Sequence, residues 1–420
     1  VDTGQFKLHV RARTGMRIEE TARLCDAVEN FIRTHIPANE LGGILDNIGV
    51  PVSPINLTYS NSGIIGSEDA DVLVTLKENH RPTADYVRAL RRTLPNEFPG
   101  ATFSFLPADM VSQILNFGLP APLDIQVVGP NVEANRQFVN RILPQLRGTP
   151  GAVDIRVQQA FDHPRFHIEV DRTKAAESGY SQRDIANSLL ATLSGSLQVN
   201  PSYWLNPKNG VSYSLVAQTP QYRIQTLRDL QNIPISGAGA TRPEILADVA
   251  SIRRSEEMGV VSHWNVQRVL DIYGAVQDRD LGAVGRDIQH VIDANRSALP
   301  RGAQVEIRGQ LSTMEASYNG LLSGLAFSIV LVYLLIVVNF QSWLDPFIII
   351  TALPVALTGI VLFLFLTHTT LSVPALMGAI MCMGVATANS ILVVSFAKER
   401  LLETGDPAQS AIEAGSTRFR

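Results

Sequence analysis

From Ala316 to Ala397 the chain carries one charged side chain, Asp345, whereas the 315 residues before that stretch carry 65. The stretch divides into three apolar segments, 319–340, 347–366 and 371–397. Each has about the 20 residues that a helix needs to cross a hydrocarbon core of roughly 30 Å. A helix lying on a water-soluble domain keeps a polar face. None of the three has one, and in lipid a helix satisfies every backbone polar group internally. The sequence therefore predicts an α+β multidomain membrane protein, a large water-exposed portion followed by three transmembrane α-helices.

A length of 420 residues suggests two or three domains. A net charge of −4 with no basic stripe gives no reason to expect nucleic acid as a partner. Val1 is no initiator, and the chain reads as a piece of a longer one. Of the two cysteines, Cys382 lies within a span, so no disulfide to Cys25 is expected. Lys398, Glu399 and Arg400 follow the third segment, with Arg418 and Arg420 beyond, while the 367–370 connection has no Lys or Arg. Positive charge gathers on the cytoplasmic side, so the C-terminal segment 398–420 is expected inside and residues 1–315 outside. The 341–345 turn is then cytoplasmic, with Trp343 at the interface.

The water-exposed portion repeats one pattern. Phe6, Leu8 and Val10 alternate with Lys7, His9 and Arg11, as in a half-buried strand. Ile18, Cys25, Val28 and Ile32 then recur at helical spacing. A strand at 71–77, a helix from Thr83 ended by Pro95, and a strand at 101–106 follow. The pattern returns as 123–128, a helix near 131–146 and 153–157. A last copy runs through 269–276, a helix at 280–298 and 304–308. Stripe-faced helices alternating with strands fit ferredoxin-like split βαβ units. The interval between the last two copies suggests an insert at about 172–257. There Ser181 caps a helix to Leu193, Pro207–Gly210 turns between extended runs, and Ser236–Ala240 is a flexible tip.

Two strings resemble one family. The run Asn339-Phe340-Gln341-Ser342-Trp343-Leu344-Asp345-Pro346 resembles the short cytoplasmic turn of resistance-nodulation-division (RND) efflux permeases of the acriflavine-resistance type. The run GVATANSILVVSFAK, from Gly384 to Lys398, resembles a span motif of their C-terminal half. The order of the water-exposed repeats is similar too. The resemblance implies that residues 1–117 form a first porter-like subdomain and that 118–171 with 258–315 form a second. Residues 172–257 would be a docking-like insert, and 316–397 three of the spans. It implies an inner-membrane, multi-pass homotrimer that exports hydrophobic or amphiphilic small-molecule cargo by proton antiport. Its partners would be membrane lipid, a periplasmic adaptor (membrane fusion) protein and an outer-membrane channel, with no cofactor. Alternatives are a heavy-metal (Cu/Ag-type) exporter, or a non-transporting accessory membrane protein of secretion or lipid trafficking.

Candidate residues follow. Thr387, Asn389 and Ser390 are the most polar cluster of the third span and are placed near the energy-coupling relay. The family's basic residue there is replaced by Ala388, and no acid of that relay lies between 316 and 397. Phe103, Phe105, Phe117 and Tyr59 are candidates for the substrate path, because aromatics in a cleft between domains suit apolar cargo. Phe103 and Phe105 share a strand face and could instead be core. Gly378, Cys382 and Ala386 repeat at four-residue spacing, a small-residue stripe that lets a neighbouring helix approach. Met377, Met381, Cys382 and Met383 supply soft ligands suited to Cu(I). They spread over different helix faces, and methionine commonly fills gaps. Asp162, His163 and His167 lie on an extended segment where residues four apart stand roughly 13 Å from each other, too far to share an ion. No metal site and no nucleophile–base pair of an enzyme is expected.

Overall fold

The computed structural model describes residues 2–50, 63–116, 118–367, 369 and 371–418. They form two compact units, 2–159 with 260–418 and, between them in sequence, 160–259. In the first unit the chain runs β1 (Gln5–Arg11), α1 (Ile18–His35), β2 (Leu41–Ile48), β3 (Asp69–Leu76), α2 (Thr83–Glu97), β4 (Thr102–Leu106) and a short α3 (Met110–Leu115). The four strands make an antiparallel sheet in the order β2-β3-β1-β4. Phe6, Leu8 and Val10 pair in register with Val74, Val72 and Ala70. With Cys25, Val28 and Ile32 of α1 and Leu90 and Leu94 of α2 they close one core.

Three expectations change here. The polar face of strand β1 is covered at its middle: His9 is 1% exposed, and Arg11, half-buried, donates to the Gln158 carbonyl at 3.2 Å. Helix α2 continues past Pro95 to Glu97. Pro95 loses its own N–H bond and crowds the carbonyl four residues back, yet Phe98 N still reaches Leu94 O at 2.9 Å. Strand β2 is an element beyond those expected. Its register shifts between Leu41 and Gly43, and a Cβ on Gly42 would stand 2.9 Å from Thr75 O, so the bulge requires glycine.

The second half of this unit begins with β5 (Leu123–Val128), α4 (Val132–Arg147) and β6 (Ala152–Val157). The chain then makes the other compact unit, with β7 (His163–Val170), α5 (Arg172–Glu177), α6 (Gln182–Ser194), β8 (Ser202–Leu205), β9 (Ser212–Leu215), α7 (Leu227–Gln231), β10 (Pro234–Ile235), β11 (Glu244–Ile245), α8 (Leu246–Val249) and β12 (Ala250–Glu257). Its boundary differs from the expected 172–257. All eight residues of β7 pair with β12, and Gly259 N donates to Ala160 O at 2.8 Å, so the insert takes in 160–171 as well.

On its return the chain adds β13 (Ser262–Trp264), β14 (Gln267–Val276), α9 (Leu281–Ala294) and β15 (Gln304–Gly309). The second sheet has the order β13-β14-β5-β15, with β6 also on β14. Helix α4 packs on β5, β6 and β14, and α9 packs on α4.

Three helical spans follow: α10 (Gln310–Phe340), α11 (Leu344–Ile350) continuing into α12 (Ala352–Leu366), and α13 (Val373–Thr404). A last helix, α14 (Pro407–Arg418), folds against α13. The helices outrun the apolar segments that announced them. A helix stops where a cap stops it, and a change of polarity does not suffice. Here the stops are Gly309 and Gly405, at φ 87° and 70°. The break at Thr351 has its cause in Pro354, which cannot donate to Ile350. Leu325, Leu353 and Met383 meet at the seam of the spans.

Candidate functional site

Alternation along the second sheet sorts its residues by chemistry. Leu123, Ile125, Leu270 and Ile272 take one face, and Asp124, Gln126, Asp271 and Tyr273 the other. Arg308 of β15 stands opposite Asp124. Asp124 is fully buried and Asp271 is 3% exposed. The Gln126 amide bridges them, donating to Asp124 Oδ2 at 2.8 Å and to Asp271 Oδ1 at 3.3 Å. Gln159 donates to Asp271 Oδ2 at 2.7 Å and accepts from Asp271 N at 3.0 Å. Burial pushes the Asp124 carboxyl well above the usual range, and the charge of Asp271 adds to this against the opposing Gln126 and Arg308. Burial raises Asp271 as well. Among the described residues the buried acceptors Asp124 Oδ1 and Gln126 Oε1 have no hydrogen-bond partner. Gln126, Asp271, Tyr273, Trp264 and Arg308 line a cavity of about 520 Å³. The Arg308 guanidinium lies 3.8 Å from the centre of the Trp264 ring.

A second cavity, about 610 Å³, opens between β4 and β6, where the two sheets approach. Its charged lining is Arg91, Arg147, Asp154 and Arg156. Asp154 sits at φ 57°, outside the ladder. Its carboxylate accepts from Arg91 Nε and Nη2 at 2.9 and 2.7 Å and from Phe105 N at 3.0 Å. Burial lowers Arg156 to about 10, and its guanidinium lies 5.5 Å from the Tyr273 ring. Tyr273 lines the acidic cavity and Arg156 the basic one. The two chambers thus meet at this stacked pair.

The residues singled out in the sequence fall differently. Phe103 lines the basic cavity. Phe105 is core, 8% exposed, with its ring 6.0 Å from Phe6. Tyr59 and Phe117 lie outside the described residues. Thr387 is buried and donates to Met383 O at 2.8 Å, a bond within its own helix. Asn389 is exposed on the three-span set and Ser390 half-buried, so the polar triplet does not converge. The buried row of α13 is Leu376, Ala379, Met383 and Thr387. Ala386 packs at its margin, while Gly378 faces open space and Cys382 is half-buried. Met377 and Met381 are exposed and Met383 is buried, so the soft-ligand set does not converge either. Among the described residues no three His, Cys, Asp or Glu side chains are placed to hold a metal ion.

The acidic pair was missed because its members lie on strands far apart in the chain. The signal was local: Asp124 and Gln126 alternate with Leu123, Ile125 and Val127 in a strand that is buried at every position. Polar residues on such a strand need partners.

The chain is 24% identical to the cation efflux system protein CzcA of Alcaligenes sp. (strain CT14), over all of this chain and 39% of that protein. It is 24% identical to the multidrug resistance protein MdtC of Klebsiella pneumoniae (strain 342), over 83% of this chain and 34% of that one. The crystal structure of a heavy metal efflux pump shares its fold, with a TM-score of 0.77 and 23% identity over all of this chain and 42% of the pump. The chain thus spans about two fifths or less of the length of these curated relatives. Residues 1–420 match a single family throughout: the chain belongs to the AcrB/AcrD/AcrF family of RND permeases.

Proposed function

We propose that this chain is part of an inner-membrane RND exporter whose cargo is a heavy-metal cation. The observation that carries the reading is the end-to-end match to a cation efflux protein, and it favours the metal alternative over the hydrophobe/amphiphile expectation. The acidic cavity suits such a cargo. Asp124 and Asp271 share one amide donor and hold protons more tightly than usual. A cation binding to carboxyls displaces their protons, so cargo capture there would release protons. With the Asp271 carboxyl and the Gln126 carbonyl at the cavity wall and Asp124 buried behind them, water would complete the shell of an ion held in passage.

A second reading, export of amphiphiles, is favoured by Trp264 under Arg308 and by Phe103 in the neighbouring cavity. In either case residues 1–315 would be periplasmic and the C-terminus cytoplasmic. The trimer, adaptor and outer-membrane channel would be those of the family, with 160–259 as the docking part. Between Ala316 and Ala397 the one charged side chain is Asp345, which lies near a span end and is tied to Lys398 at 2.5 Å. Proton coupling would therefore use acids elsewhere in the protein.

Growth of a pump-deficient host expressing the full-length protein tests the reading against zinc, cobalt, cadmium, nickel, copper and silver salts, with detergents and dyes alongside. Raised tolerance to at least one metal, lost in Asp271→Asn, is expected. Tolerance to dyes and detergents alone would overturn the metal reading in favour of the amphiphile one.

A further inference from the structure

Helix α3 is inverted with respect to water. Its apolar side chains face outward: Met110 is 75% exposed, Val111 and Ile114 each 66%, and Leu115 39%. Its polar residues turn inward. Gln113 Nε2 donates to the carbonyls of Ala108 and Pro107 at 3.2 and 3.4 Å. Ser112 lines a cavity of about 320 Å³ together with Asn116, which follows the helix and is 1% exposed. A helix bordering water presents the opposite pattern, and four adjoining exposed apolar side chains mark a surface meant for another medium or partner.

The fold says which one. Thr313 Oγ1 of α10 donates to Leu115 O at 3.1 Å, and Gln310, the first residue of α10, lines the same cavity as Ser112. Helix α3 is therefore fastened to the head of the first span. The uninterrupted apolar run of α10 begins at about Gly320, seven residues beyond Thr313. At about 1.5 Å per residue that is roughly 10 Å. The polar headgroup zone occupies about 5–8 Å on each side of the hydrocarbon core, which puts α3 within a side chain's reach of it.

We propose that α3 is a membrane-surface anchor, with Met110, Val111 and Ile114 inserted among the lipids of the leaflet at the N-terminal end of α10. Short apolar surfaces of this kind bind the headgroup–acyl boundary in proportion to the area they bury. The anchor sits in the link between the two sheets, between β4 and β5, and so ties that link to the bilayer surface. This inference requires that the spans cross a membrane and is independent of the cargo.

The test uses the full-length protein with Cys25 and Cys382 replaced by Ala, reconstituted in phosphatidylcholine/phosphatidylglycerol vesicles. A single cysteine at Ile114, and separately at Val111, carries an environment-sensitive fluorophore. A third at Gln137, exposed on α4, is the water-facing control. Lipids brominated near the headgroup end of their chains should quench the Ile114 and Val111 labels by a third or more, with little effect of aqueous iodide. The Gln137 label should show the reverse. Iodide quenching at Ile114 and Val111 equal to that at Gln137 would overturn the proposal by placing α3 in water. Quenching by neither agent would overturn it by placing protein over the helix.

Discussion

Asp124 and Asp271 show how one pair of buried side chains can make a fold respond to pH. A carboxyl raised by burial is stabilised in its protonated form. Its contribution to folding is complete below the ordinary aspartate value of about 3.9 and is lost as pH climbs through the raised folded value. Above that value the folded state must hold a desolvated charge beside a second one. Asp124→Asn removes the charge and keeps the shape. The variant should therefore unfold at a higher temperature than the parent at pH 8, by about 2–4 °C for each kcal/mol relieved. At pH 5 the gain should shrink. Thermal unfolding of the purified protein at the two pH values measures this. A gain of equal size at both would mean that the carboxyl is not raised. The first sheet shows the contrary balance. Burial alone would raise Asp71, but His9 at 2.7 Å and Lys7 at 2.9 Å outweigh it and leave its pKa lowered. Neither balance could be read from the sequence, because each depends on a partner strand brought alongside from elsewhere in the chain.

At the scale of elements, legibility followed the range of the physics. The cap of α6 is local and was read correctly: Ser181 Oγ accepts from Asp184 N at 3.2 Å, and Asp184 Oδ2 accepts from Ser181 N at 2.9 Å, a reciprocal capping box. Ser181→Ala should cost about 1 kcal/mol and raise hydrogen exchange in the first turn of α6 about fivefold, with amides of α9 unchanged as the internal control. The spans were legible because lipid imposes its demand on each segment by itself. Strand β2 was not, since a bulge is defined only against its partner β3. The small-residue stripe of the third span was expected to pack against a neighbouring helix. Helical spacing finds a row of residues, but which row is covered depends on neighbours, and in this chain the covered row is Leu376, Ala379, Met383 and Thr387.

At the scale of the molecule, the chain leaves its first unit at Gln159 and returns at Val260, and the ends of the insert are held together by the Gly259–Ala160 hydrogen bond. A detour that begins and ends at one point adds little constraint to the unit it interrupts, because closing a long loop costs only slightly more than closing a short one. The sequence reading put the joints at 172 and 257, which would cut between β7 and β12. The two boundaries predict different outcomes on excision. Joining Gln159 to Val260 through two or three glycines should leave the remaining unit inserted in the membrane, with a cooperative thermal transition. Removing 172–257 instead strands β7 with eight unpaired residues, and an exposed strand edge of that length invites aggregation. Size-exclusion chromatography and limited proteolysis of the two deletions decide between them. A folded 172–257 deletion beside an aggregated 160–259 deletion would show that β7 belongs to the sheet of β5 and β14, and that the insert begins where the sequence placed it.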